Sequence, residues 1–151
     1  MEERGGALPD LLGEHRYQLD PKGRISLPNR FREVLVDGVY LTLGQDGCLF
    51  GFTRDEWARR RAEMDARPIS DADARAYGRV FTAFAEPVEV DGQGRLVIPA
   101  RLRQKARLET EVVVNGAGHR LEIWNPEAWD RYLAAFEPQY VAGTLSPERG
   151  A

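Results

Sequence analysis

The chain has 151 residues, 42% of them hydrophobic and 30% charged, and a net charge of −3. That length allows one domain or two small ones with a real core, and no stretch approaches the ~18 consecutive apolar residues of a membrane-spanning helix. The single cysteine, Cys48, rules out an internal disulfide and fits a reducing cytoplasm, and with two histidines, His15 and His119, a zinc site is disfavoured.

Residues 1–12 are rich in Gly and Glu, lack periodicity and contain no apolar secretory core; they are expected to form a loose arm. Short alternating segments at 15–19 and 87–90 read as strands. Pro21 and Gly23, then Gly92 and Gly94, punctuate a turn after each strand, and Ile25-Ser26-Leu27 and Leu96-Val97-Ile98 return from it. Pro28 and Pro99 suit the first turn of helices running to about Val36 and Leu108, with Phe31, Val34 and Leu35, and Leu102 and Ala106, on the apolar faces. A hairpin follows in each half, turning at Gln45-Asp46-Gly47 and at Asn115-Gly116-Ala117-Gly118. Thr53 and Asn125 are expected N-caps for helices near 54–65 and 126–136, with Trp57 and Trp129 one turn in as core anchors. Between the halves Pro68 breaks the chain, Ser70 with Asp73 resembles a capping arrangement, and residues 71–81 read as a connecting helix. The segment after Pro138 has little apolar content and is expected to fray.

One segment occurs twice. Asp20-Pro21-Lys22-Gly23-Arg24-Ile25-Ser26-Leu27-Pro28-Asn29-Arg30-Phe31-Arg32 returns 71 residues later as Asp91-Gly92-Gln93-Gly94-Arg95-Leu96-Val97-Ile98-Pro99-Ala100-Arg101-Leu102-Arg103. Six of 13 positions are identical, where unrelated segments would share about one. The alignment continues through both hairpins with one residue gained, so Leu49-Phe50-Gly51-Phe52 falls on Leu121-Glu122-Ile123-Trp124. The expected organisation is an arm at 1–12, repeats at 13–66 and 84–136, a bridge at 67–83 and a flexible tail at 137–151. Two copies are too few for a solenoid, so the halves are expected to close on each other about a pseudo-twofold axis.

The retained identities are Asp, Gly, Arg, Pro, Arg and Arg: turn formers and arginines. Asp can accept backbone N–H groups inside the turn, Gly permits positive φ, and Arg then projects a planar fork suited to a phosphate or the O6/N7 edge of guanine. Arg30, Arg32, Arg101 and Arg103 fall in the first turns of helices, where backbone N–H groups also favour phosphate. Residues 13–36 and 86–108 each hold five Lys/Arg and three Asp/Glu, so the repeat cores carry +4 and the remainder −7. A small basic face on an acidic body suits local contact with phosphate. One isolated copy of Asp-x-x-x-Arg reads most simply as an internal ion pair; two copies point to binding, and both can hold together. No enzyme is expected: Ser26 and His15 lack counterparts in the second half, Gly-x-Ser-x-Gly is absent, and Gly92-Gln93-Gly94 is not followed by Gly-Lys-Ser/Thr. Asp71 and Asp73 read as a solvated helix face, and Cys48 as buried and inert.

Gly13-Glu14-His15, Leu19 to Pro28, Phe31-Arg32, Gly47-Cys48-Leu49, Glu56-Trp57, Asp91 to Arg95, Ile98-Pro99 and Glu122-Ile123-Trp124 together resemble the MraZ family of bacterial transcriptional regulators. The resemblance spans about residues 12–136, both halves in order. It implies an α+β fold of two AbrB-like, swapped-hairpin β-barrel units with flanking helices. It further implies ring-shaped homo-oligomers, a cytoplasmic, nucleoid-associated location, and binding to short direct repeats of double-stranded DNA in the promoter of the division and cell wall gene cluster. Family members mostly repress that promoter. The resemblance places the DNA-contacting loops on Asp20, Lys22, Gly23 and Arg24 and on Asp91, Gln93, Gly94 and Arg95; the expected support from Arg30, Arg32, Arg101 and Arg103 comes from their own placement after the loops. No cofactor, metal, membrane or small-molecule ligand is implied. The alternative is a ring-forming scaffold for protein partners, with the basic loops closed by their own ion pairs. Two departures stand out: the N-terminal extension before Gly13, and Pro21 against Gly92 at the second loop position, which makes one loop stiff and the other loose.

Overall fold

The computed structural model describes residues 10–147. Among them the order is β1 (Leu11–Gln18), β2 (Arg24–Ser26), α1 (Asn29–Val34), β3 (Val39–Leu43), β4 (Leu49–Phe52), α2 (Arg54–Asp65), α3 (Ala72–Ala83), β5 (Glu86–Val88), β6 (Arg95–Val97), α4 (Ala100–Ala106), β7 (Glu111–Gly118), β8 (Leu121–Trp124) and α5 (Pro126–Val141). The expected α+β class holds. A six-stranded sheet has the order β1-β7-β8-β4-β3-β5, and β2 and β6 form a separate two-stranded ribbon. Every strand pair in both is antiparallel.

The register makes the halves partners rather than neighbours. In the ribbon Ile25 stands opposite Leu96, its own repeat counterpart, and in the large sheet Phe50 stands opposite its counterpart Glu122. A local twofold axis therefore passes through both pairs. Strands also cross between halves: β1 pairs with β7, and β5 with β3. The match is imperfect, because β5 keeps three residues against eight in β1. Pro87, which has no N–H to donate, sits in that short edge strand, where proline is tolerated.

The main core lies along the axis. Ile25, Leu27, Phe31 and Leu35 meet Leu96, Ile98, Leu102 and Ala106, with Leu41, Leu49, Val112, Val114, Leu121 and Ile123 from the sheet. Full burial of side chains of this size stabilises the fold by about 1.5–3 kcal/mol each. The other face of the sheet carries two satellite clusters. Under α2, Trp57 stacks on Tyr40 (4.8 Å) and on Phe81 of α3 (5.0 Å). Under α5, Trp129 meets Trp124 edge-on at 5.1 Å. The two tryptophans are thus half-buried anchors for their own helices and do not belong to the central core.

Thr53 and Asn125 cap α2 and α5 as expected, Thr53 accepting from Glu56 N–H and Asn125 from Glu127 and Ala128 N–H. Six boundaries differ from expectation. Strand β1 begins at Leu11, inside the expected arm, because Leu11 is 1% exposed and pairs with Gly118; the more buried series Leu11, His15, Tyr17 is interrupted at Gly13, which has no side chain, and that hides the alternation. Asn115-Gly116-Ala117-Gly118 is strand, and the chain turns at His119-Arg120. Gly116 serves close approach there, since a Cβ would collide with the backbone of Leu11 and Leu12. Asp71, one residue beyond Ser70, caps α3 by accepting Ala74 N–H. Helix α1 stops at Val34 and α4 at Ala106, where Arg107 takes the left-handed conformation (φ 58°). Helix α5 runs through Pro138 to Val141, its overhanging end exposed. The rest of the expected arm, 1–9, and the end of the expected tail, 148–151, lie outside the described residues.

Candidate nucleic-acid interface

The two repeated loops close by the same hydrogen bonds. In the first, Asp20 N–H donates to the Arg24 carbonyl (2.9 Å) and Gly23 N–H to the Asp20 carbonyl (2.9 Å). Asp20 Oδ1 accepts from Lys22 N–H (2.9 Å) and Arg24 N–H (2.8 Å), and Oδ2 from Arg24 Nε (2.7 Å). The second loop repeats this: Asp91 Oδ1 accepts from Gln93 and Arg95 N–H (both 2.9 Å), and Oδ2 from Arg95 Nε (2.9 Å). Gly23 and Gly94 have φ of 81° and 76°, which a side chain would strain. The backbone N–H of Arg24 and that of Arg95 hold the Asp20 and Asp91 carboxyls below the usual carboxylate range, despite the opposing effect of desolvation. Pro21 and Gly92 leave these bonds alike in the two loops.

Because each carboxylate takes only the Nε–H, the terminal Nη1 and Nη2 groups of Arg24 and Arg95 have no hydrogen-bond partner among the described residues. Both side chains are partly exposed, 26% and 30%. The ion pair and the free edge thus coexist. Strand alternation aims them: Ile25 and Leu96 enter the core, so Arg24, Ser26, Arg95 and Val97 share the outer face of the β2–β6 ribbon. Arg24 stands opposite Val97 and Ser26 opposite Arg95, which puts the two arginines at diagonal corners. Ser26 and Val97 (45% exposed) were not among the expected site residues. The alternation around Ile25 and Leu96 would have indicated them.

Lys22 and Gln93 are exposed at the loop tips, and Arg30 is exposed at the start of α1 without an ion pair among the described residues. Arg101 differs from its counterpart. Its guanidinium lies 3.9 Å above the Phe84 ring, with Lys105 Nζ 5.4 Å from the same ring. The helix N-termini expected to favour phosphate belong to short helices. Helix α1 has six residues and α4 seven, Pro28 and Pro99 are the N-caps, and neither end has a side-chain cap. So few aligned peptides make a weak dipole. Arg32 and Arg103 are half-buried, each against the loop glycine of the other half: Arg103 against Gly23, Arg32 against Gly94.

Elsewhere the chemistry is quiet. Cys48 is 2% exposed, burial pushes its thiol far above the usual range, and its Sγ donates to the Gln45 carbonyl (3.3 Å). His15 meets the edge of Phe31 at 5.3 Å, and His119 is exposed. Among the described residues no cluster of His, Cys, Asp and Glu could hold a metal ion, and no helix is long and apolar enough to cross a membrane.

A family profile described as "MraZ protein, putative antitoxin-like" matches the chain twice, at residues 11–80 and 81–140. A protein named "Transcriptional regulator MraZ" from Heliobacterium modesticaldum is 46% identical over 130 residues, 86% of this chain and 91% of that one. The proteins of the same name from Lactiplantibacillus plantarum and Deinococcus radiodurans are 45% and 41% identical, over 81% and 85% of this chain and 86% and 90% of theirs. Two profile matches in tandem, and 46% identity to a relative over 86% of the chain, place the chain in the MraZ family.

Proposed function

We propose that the chain is a sequence-specific DNA-binding transcriptional regulator that represses the division and cell wall gene cluster from direct repeats in its promoter. The observation that carries this reading is the pair of Asp-tethered arginines, Arg24 and Arg95, held on one exposed ribbon face with their terminal nitrogens free. A two-stranded ribbon fits the major groove, and each guanidinium edge matches the two acceptors of guanine. Asp20, Gly23, Asp91 and Gly94 shape the loops, while Lys22, Gln93, Arg30 and Arg101 lie where they meet backbone phosphates. The strand exchange between halves fits two AbrB-like swapped-hairpin units at 13–66 and 84–136, bridged by 67–83, with the reading ribbon on their shared axis. The site of action is the nucleoid, and the working form is a ring of identical chains. The exposed apolar residues at the far end of α5 support that assembly.

The test is a gel shift on the duplex immediately upstream of the chain's own coding sequence. Arg24→Ala or Arg95→Ala should weaken binding about 10-fold or more, with the solution mass unchanged and the affinity of the native protein falling steeply with salt. Equal binding after removal of both arginines would sink the reading. Retention of any duplex irrespective of salt and sequence would favour the scaffold alternative, which draws on the same closed ion pairs.

A further inference from the structure

We propose that Arg32 and Arg103 are positioning residues, each clamping the reading loop of the opposite half from behind. The DNA side of this inference rests on the reading above; its structural side does not.

The geometry runs across the axis in both directions. Leu27 directly follows β2 of the first half, and its N–H donates to the carbonyl of Gly94 in the second loop (3.0 Å). The Leu27 carbonyl in turn accepts from Arg32 Nε (2.9 Å). The Arg32 side chain lies against Gly94, and a Cβ there would collide with Nε and Cζ. The mirror set joins Ile98 N–H to the Gly23 carbonyl (2.8 Å) and brings Arg103 against Gly23, where a Cβ would sit 2.9 Å from Cζ. Each loop is therefore closed by its own aspartate and backed by the other half's arginine. The clamp explains why glycine and the last arginine survive together in both copies of the repeat. Each glycine's partner is the arginine of the other copy, so neither copy can change alone. It also separates Arg32 and Arg103 from Arg30, which has no such partner and faces solvent.

The two clamps are unequal. Arg32 Nε has the Leu27 carbonyl, whereas Arg103 Nε is buried without a partner. Arg32→Lys removes a hydrogen bond and Arg103→Lys removes none, so the first substitution should loosen its loop more than the second.

Two measurements on the full chain test the clamp. In the first, amide hydrogen exchange is followed without DNA. Arg32→Ala should cost protection at Gln93, Gly94 and Arg95 and leave Lys22, Gly23 and Arg24 unchanged, and Arg103→Ala should do the reverse. Loosening of the loop in the same half, or of neither loop, would overturn the proposal. If an alanine variant fails to fold, the lysine variants carry the same trans pattern in weaker form. In the second, the upstream duplex is titrated at several salt concentrations. Arg32→Ala should lower affinity about 10-fold with the slope of log K against log salt unchanged, whereas Arg30→Ala should make the slope shallower by about 0.9. A shallower slope for Arg32→Ala would make it a direct phosphate contact and defeat the clamp. If the native protein binds no DNA, the functional reading fails, and the exchange pattern still decides the clamp.

Discussion

Single residues account for the repeat identities one by one. Asp20 and Arg24, like Asp91 and Arg95, satisfy each other inside the loop. Gly23 and Gly94 carry positive φ and admit an arginine from the other half. Pro28 and Pro99 start the helices, and of the remaining arginines only Arg30 and Arg101 lie on the exposed side. The loop carboxylates make a pH test. Their folded-state pKa values are depressed below 3.8, so what they contribute is complete above the unfolded value of about 4 and is lost as pH falls through the lower folded value. Carbon-13 titration of the Asp20 and Asp91 carboxyls should give midpoints below 3.8, and the Lys22, Arg24, Gln93 and Arg95 amide shifts should stay constant above about pH 5. A midpoint at or above the ordinary value would mean that the tethers do not persist in solution. The tether was legible in the sequence because its partners are four residues apart. The Gly-Arg contact was not, because its partners lie in different halves and only the register of β2 on β6 brings them together.

At the scale of elements, local chemistry was a sound guide wherever an element is defined by its own residues. The Thr53 and Asn125 caps and the turn at Gln45-Asp46-Gly47 need no partner to be recognised. It misled where a partner decides. Asn115-Gly116-Ala117-Gly118 has the composition of a hairpin turn, yet β1 lies along it and makes it strand. The two glycines there do different work. A Cβ at Gly116 meets the backbone of Leu11 and Leu12, whereas at Gly118 nothing lies within 4 Å and only the φ of 86° resists substitution. Gly116→Ala should therefore destabilise the chain by about 1–3 kcal/mol, as an overpacked core site does. Gly118→Asn, which tolerates positive φ, should cost well under that. Urea unfolding of the two variants compares them directly. A Gly116→Ala chain as stable as the native one would mean that β1 is not seated on β7 over this stretch.

The whole molecule departs from its own symmetry in one consequential place. Helix α3 is present once. In the first half it lies against α2, where Phe81 stacks on Trp57 and Tyr77 stacks on Phe81. Helix α5 is the counterpart of α2 by its cap and its tryptophan, but the described chain provides no second α3 to lie beside it. The apolar face of α5 begins on the sheet with Trp129 and Tyr132, then continues past the edge as Phe136 (38% exposed) and Tyr140 (74% exposed). Phe136 occupies the repeat position of Met64, which lines the groove between α2 and α3. In the ring proposed above, a second copy of the chain would dock on this open face. That copy would offer the strip of α3 with Tyr77 (49% exposed) and Val80 (51% exposed), where the neighbouring Arg79 is opposite in charge to Glu137 of α5. Such a contact joins two different surfaces, so it builds rings or filaments and not closed pairs. The duplication itself was legible in the sequence, since thirteen aligned positions carried it. The missing α3 was not, because an unmatched bridge looks like a linker until its packing is known. Replacing Phe136 and Tyr140 together by Ser should lower the solution mass measured by light scattering and leave the far-ultraviolet dichroism unchanged, because both residues lie on the overhang beyond the sheet. If assembly goes through this face, Tyr77→Ser with Val80→Ser on the complementary side should lower the mass as well. An unchanged mass in both double variants would place the contact between copies on a different surface and remove α3 and α5 from it.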